Sequence, residues 1–288
     1  MKNAEERYLE LKEKYQSMIE KQTQTINLIS NIRLIVFLVC AGLGIYIYVR
    51  KDYGLFVYEL AFLLALFFFL VLLYQYFMNK RKYSIAFHEI NENSLKRIHG
   101  EWTAFTDGGE EFIDENHSYS QDLDIFGKGS LFQFINTTVT YLGRIKFKDL
   151  LILPAKNIAE IRLRQEAVME LSQKLDWRQR YMAEGLVEHE QMRNPEFLFS
   201  WANGITKFYR NRMAVFVFRL MPIITVIIGV LTFLNPELKY YGLISALILQ
   251  FGILRINSKK RTKVLVMAYD YMKNIKVYDR MLTATPNI

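Results

Sequence analysis

His117, Asp122 and Asp124 stand close together in the chain, and an imidazole with two carboxylates is a donor set that suits a divalent ion. Their spacing matches no recognised metal motif, so the favoured reading is structural: they cap and tie down the turn that follows. That turn, Gly127-Lys128-Gly129-Ser130, is the nearest approach to a phosphate loop. It lacks the upstream glycine and the Lys-Ser/Thr adjacency that such a loop needs, and no G-x-x-x-x-G-K-[ST] occurs anywhere in the sequence. There is no Ser/His/Asp order and no H-E-x-x-H, and the four histidines (His88, His99, His117, His189) are scattered. Cys40 is the single cysteine, which excludes an intrachain disulfide and a cysteine-based metal site and agrees with a reducing compartment. Arg162, Arg164, Arg178 and Arg180 have the chemistry to meet phosphates. Their i, i+2 spacing spreads each pair around a helix, which favours solvated faces and local ion pairs. No residue is assigned a catalytic, cofactor or metal role, and this chain alone is not expected to hydrolyse ATP.

The elements that position these residues follow from local chemistry. Gly127 and Gly129 bracket Lys128 and let the backbone turn or take a positive φ. Ser130 offers an N-cap hydroxyl with Gln133 at the capping-box spacing. Leu131, Phe134, Ile135, Thr138 and Leu142 fall on one face of a predicted helix that ends at Gly143. A second short helix is expected to run to the break at Pro154. Asn157 with Glu160 repeats the capping spacing and opens a third helix, with Ile158, Ile161, Val168, Leu171 and Leu175 as its apolar seam.

These residues together resemble a family. Asp122, Asp124 and Phe126 lead into Gly127, Gly129, Ser130-Leu131-Phe132, the Thr138-x-Thr140 pair and Gly143. A short helix, Pro154 and Arg164-Gln165-Glu166-Ala167-Val168 follow. This order is similar to the start of the core, or lever, domain of MutS-type DNA mismatch repair proteins. His117-Ser118-Tyr119 through Phe132 resembles the membrane-attached bacterial branch, in which Ser118 stands at a usual proline. The resemblance covers roughly Trp102 to Met192. It implies a helical core, a homodimer, and ATP and magnesium bound by a C-terminal ATPase domain that this chain lacks, so that it is read as a fragment of a longer protein or a truncated relative. It also implies DNA binding. Here membrane segments occupy the places of the mismatch-reading domain and the DNA clamp, so only weak, non-specific DNA contact is expected.

Composition points to a membrane. The 288 residues are 51% hydrophobic with 21 Phe and 18 Tyr, yet 23% charged with a net charge of +8. Apolar spans alternating with charged soluble parts produce that mixture. The positive charge suits an anionic membrane face ahead of nucleic acid. Residues 1–32 read as an amphipathic helix that partners the rest of the chain ahead of self-association, and this polar leader argues against a signal peptide. A first hairpin spans 33–79, with apolar runs at 34–49 and 55–78. The second run holds one charge, Glu59, near its start, where snorkelling relieves it. Residues 80–206 form the MutS-core-like region, and 207–257 form a second hairpin with runs at 213–234 and 240–256. Residues 258–288 are a lever-type helix.

Counting basic residues puts Arg33, Lys80-Arg81-Lys82, Lys207, Arg210, Arg212 and Lys259-Lys260-Arg261 on one side. Both termini are therefore expected in the cytoplasm, on a multi-pass protein of the inner membrane. The expected fold is all-α: two transmembrane hairpins and a cytoplasmic MutS-core-like segment. The expected function is to couple an ATPase to DNA or to the membrane, and the alternative is a non-enzymatic membrane scaffold that retains the lever fold. A small transporter fits less well, because the spans lack paired polar residues.

Overall fold

A 47-residue helix, α1 (Ala4–Arg50), runs antiparallel to a 46-residue helix, α2 (Tyr53–Ile98). The computed structural model describes residues 3–50, 53–187, 194, 212–234, 241–255 and 258–284, and among these there is no strand. They belong to two compact units, residues 1–190 with 277–288, and residues 191–276.

The first unit is built on the α1–α2 hairpin. No proline interrupts either helix, so the polar leader and the first apolar run form one rod, and Lys80-Arg81-Lys82 sits within α2 rather than ending it. The register is readable from side-chain pairs. His99 Nε2 lies 2.9 Å from Glu5, Lys12 lies 3.6 Å from Glu92, and the Tyr15 and Phe87 rings stack at 4.8 Å. Farther along, Arg33 lies over the Tyr74 ring at 5.6 Å. Leu11, Ile26 and Ile29 of α1 and Leu70, Ala86, Ile90 and Leu95 of α2 are buried. In the apolar stretches the outward residues are large and exposed, among them Ile35, Leu38, Phe62 and Phe68. That surface suits lipid, and both helices are long and apolar enough to cross a membrane.

After α2 the chain turns through two short 3-10 segments, Glu101–Ala104 and Glu110–Phe112, into α3 (Leu131–Ile135). The predicted helix from Ser130 to Gly143 is not continuous. α3 has five residues, and α4 (Tyr141–Ile152) begins only after an extended stretch. The cause is local competition. Asn136 Oδ1 accepts from the Thr138 N–H (3.0 Å) and hydroxyl (2.7 Å), and Thr140 Oγ1 accepts from the Gly143 N–H at 3.1 Å as a new N-cap. Three threonines and a valine in a row also disfavour helix. Gly143 therefore lies in the first turn of a helix rather than at an end. The expected stripe is not a buried face either: Leu131, Phe134, Ile135 and Leu142 are exposed, while Phe132 and Gln133 are buried.

α4 stops before Pro154, as the sequence predicts. Asn157 caps α5 (Ile158–Gln173) by accepting from the Ala159 N–H at 2.9 Å. Of its predicted seam, Ile158, Ile161 and Val168 are exposed and Leu171 is half-buried, so the stripe is a surface of this chain rather than a core face. α6 (Leu175–Leu186) packs on α2. There the Gln179 amide donates to Asn91 Oδ1 at 2.7 Å, and Tyr83 donates to Glu184 at 2.7 Å. Gly185 lets α6 approach the 136–140 segment closely, since a Cβ there would lie 2.2 Å from Val139. Val139 packs with Val277 and Met281 in a small core.

In the second unit, α7 (Arg212–Leu234) contains Pro222 and is tied to α8 (Tyr241–Arg255) by the Thr225 hydroxyl, 2.9 Å from Gln250 Oε1. α9 (Ser258–Thr283) belongs to this unit through Lys276 and to the first unit from Val277. The turn expected at Asn235-Pro236-Glu237 and most of the 188–211 connector lie outside the described residues.

Candidate functional site

The glycine turn is built from backbone geometry. Gly127 has φ 103° and Gly129 φ 77°, values that L side chains rarely adopt, and Asp124 is also left-handed at φ 46°. The Gly127 N–H donates to Gly108 O at 2.8 Å, Leu131 N–H to Asp124 O at 2.9 Å and Phe132 N–H to Ile125 O at 2.9 Å. Ser130 Oγ accepts from the Gln133 N–H at 3.1 Å, as its spacing predicts. Gln133 Oε1 reaches back to the Gly129 N–H at 2.7 Å, one residue earlier than a capping box would, and its amide donates to Phe105 O at 2.6 Å.

Behind the turn lies an aromatic cluster. Phe132 is fully buried, with Phe126, Phe112 and Phe147 at centroid distances of 5.6, 5.8 and 5.3 Å. Arg144 covers it, 4.5 Å above the Phe112 ring. Its Nη2 and Nε donate to the two oxygens of Asp107 at 2.6 and 2.9 Å, and Nη1 donates to Glu111. Asn136 donates to the same Asp107 at 2.8 Å. Burial alone would raise the Asp107 carboxyl, but hydrogen bonds and charge from Arg144, with the Gly109 N–H and the Asn136 amide, hold it below the usual value. Arg144, bonded to both carboxylates, is raised above the ordinary guanidinium value.

A second concavity, of about 570 Å³, lies at the end of the hairpin away from the α1–α2 turn. Tyr8 of α1, Arg97 of α2, Thr138 and Thr140, and Trp177 and Arg178 of α6 line it. Arg97 donates to the carbonyls of Phe134 (2.8 Å), Asn136 (2.8 Å) and Asn93 (3.3 Å).

The predicted motif residues therefore divide. Phe126, Gly127, Gly129 and Ser130 build the turn, whereas Thr138, Thr140 and Gly143 line the cavity. Asp122 and Asp124 are exposed, and Asp124 contributes its carbonyl rather than its carboxylate to the turn. Both ring nitrogens of His117 face protein groups, Nδ1 accepting from the Ser120 N–H at 3.2 Å and Nε2 lying 3.3 Å from Ile152 O. Among the described residues no three His, Cys, Asp or Glu side chains group as metal ligands. Arg164 and Gln165 are exposed on α5, where Arg164 pairs with Glu160 at 2.5 Å. Sequence reasoning missed Asp107, Glu111, Asn136 and Arg144 as one constellation, and Arg97 as a cavity residue. No family model, curated protein or solved structure matches the chain.

Proposed function

We propose that this chain is the membrane-anchored core, or lever, portion of a MutS-type protein, and that it passes movement between its helical core and the membrane. The reading rests on one observation. α2 runs without a break from its apolar segment to the junction with α6, so displacement of one end is displacement of the other. In this reading α7 and α8 form the second membrane hairpin, and the ATP and magnesium of the family belong to a domain outside this chain. The protein is a multi-pass inner-membrane protein with both termini in the cytoplasm. DNA is met only through its phosphates. Fluorescence anisotropy of matched and mismatched duplexes at two salt concentrations tests this. Weak binding that steepens as salt falls, with no mismatch preference, is expected. A preference above about tenfold, roughly 1.4 kcal/mol, would overturn it by making this chain a reader of distorted DNA.

A second reading, a scaffold that assembles through its lever helices, is favoured by α5. Every residue from Ile158 to Glu170 is exposed, including Leu163 at 66% and Val168 at 66%. In this reading α5 pairs with its copy in a homodimer. Light scattering of the detergent-solubilised chain should then give a dimer that Leu163→Glu with Val168→Glu returns to monomer. A monomeric parent chain rejects the scaffold.

A further inference from the structure

We propose that the cavity between the hairpin end and α6 is a binding site for a small soluble organic anion with an apolar body. The proposal is independent of the coupling role above.

Size comes first. At about 570 Å³ the cavity lies within the ~300–1,000 Å³ typical of small-molecule sites. Its charge is unbalanced. Arg97 and Arg178 line it, and none of its described lining residues is acidic. Arg97 is held by three carbonyls and lies 4.6 Å over the Phe105 ring, with no carboxylate among the described residues paired to it, and burial lowers its guanidinium below the usual value. Arg178 donates to Ser172 O at 3.2 Å, while its buried Nε has no partner. A partly buried cation without an anion costs free energy that a bound anion recovers in part.

The backbone adds to the same field. α6 begins at Lys174 without a side-chain cap, and Leu175, Trp177 and Arg178 of its first turn line the cavity, which sets the positive end of a twelve-residue helix there. Ile90, Val139, Met182 and Met281, with Trp177 stacked on Tyr181 at 5.3 Å, give the wall an apolar and aromatic part beside the hydroxyls of Ser94, Thr138 and Thr140. Bare phosphate would leave that wall empty, and a neutral apolar molecule would leave the guanidiniums unpaired.

Position excludes a lipid still seated in the bilayer. About 37 Å of helix, at roughly 1.5 Å per residue, separates Tyr8 from Arg33, where the apolar run of α1 begins. The wall is also rigid before any ligand arrives. Asn91 and Gln179, both buried, bond reciprocally at its edge, where Gln179 is itself part of the lining, so α6 is held on α2 without a ligand.

Two probes share the chemistry and differ in the head group, 1-naphthyl phosphate and 1-naphthoate. Equilibrium dialysis against the full chain in phosphatidylcholine nanodiscs, with empty nanodiscs subtracted, reads their binding. Saturable binding of at least one probe is expected, and the tighter one identifies the head group. Arg178→Gln should weaken it about tenfold or more, whereas Arg180→Gln, an exposed cation on the same helix, should leave it within about twofold. Because Arg97 also ties the 134–136 backbone, its variant is not used; Thr137→Trp, which fills the mouth, is the second test and should abolish binding. The proposal is overturned if neither probe saturates. It is equally overturned if inorganic phosphate or 1-naphthalenemethanol binds as tightly as the probes, or if Arg178→Gln and Arg180→Gln have the same effect.

Discussion

Arg144 fastens three stretches of chain through one planar group, reaching Asp107 and Glu111 while Asn136 completes the Asp107 carboxylate. Arg144 is only 14% exposed, so this pair is screened less than a surface ion pair, although Asp107 at 40% still feels solvent. The Asp107 carboxyl has a lower pKa folded than unfolded, so the unfolded chain binds its proton more tightly. Its contribution to stability is complete above the ordinary carboxylate value, about 4, and is lost as pH falls through the folded value. Arg144, shifted upward, stays charged throughout that range. Acidification from neutral pH to about pH 3 should therefore loosen the glycine turn, read by limited proteolysis around Lys128 and by Trp102 fluorescence. In Asp107→Asn the turn should already be looser at neutral pH, and the acid step should shrink. An unchanged acid step in that variant would assign the transition to other carboxylates. None of this constellation was legible beforehand, because Arg144 and Asp107 lie far apart in sequence and no period joins them. The Ser130 cap was legible, because donor and acceptor are three residues apart, and the longer bond from the same hydroxyl to Gly108 O leaves its lone pairs free to accept.

Among the elements, the α2–α6 junction shows how a buried polar pair fixes register. Asn91 and Gln179 are 0% and 3% exposed, and each amide satisfies the other, with Asn91 also donating to Phe87 O at 2.7 Å. Sliding either helix by one residue would break both bonds between them and leave the buried Gln179 amide and the Asn91 carbonyl oxygen without those partners. Asn91→Leu leaves the Gln179 amide without its partner and should cost about 1–3 kcal/mol. The double variant Asn91→Leu with Gln179→Leu removes both desolvation penalties and should recover most of that loss. Spin labels at positions 85 and 180, both exposed, report the consequence: a single narrow distance in the parent, broadened in Asn91→Leu and narrower again in the double variant. A broad parent distribution would remove the rigid junction on which the coupling role rests. The apolar run at 55–78 was legible as helix, but the register of α2 against α6 depends on which polar residues meet, and residues this far apart carry no pattern. The early end of α3 was hidden for a related reason: apolar spacing from Leu131 to Leu142 looks helical, while the Asn136 and Thr140 side chains compete for the backbone locally.

For the whole molecule, length decides what the hairpin can be. At roughly 1.5 Å per residue α1 extends about 70 Å, while the hydrocarbon core of a bilayer is about 30 Å thick. In the proposed membrane reading more than half of each long helix therefore stands outside the bilayer, and the position of the charges says which half. Arg33 over Tyr74 and Lys80 over Tyr76 place cations on aromatic faces beside the apolar stretch, the arrangement of a membrane–water boundary. Beyond it lie the Lys12–Glu92 and Glu5–His99 pairs and the buried turn around Phe132, all chemistry that needs water or a folded core. Basic residues gather on this side, so the proposed orientation has the glycine turn in the cytoplasm and position 52 outside. In a Cys40→Ala background, single cysteines at positions 52 and 128 test the orientation in intact cells with a membrane-impermeant maleimide. Position 52 should label at once, and position 128 only after permeabilisation. Labelling of 128 but not 52 would invert the protein. It would place the cluster at Arg144 and the cavity at Arg97 outside the cell, and contact with cytoplasmic DNA would fall with it.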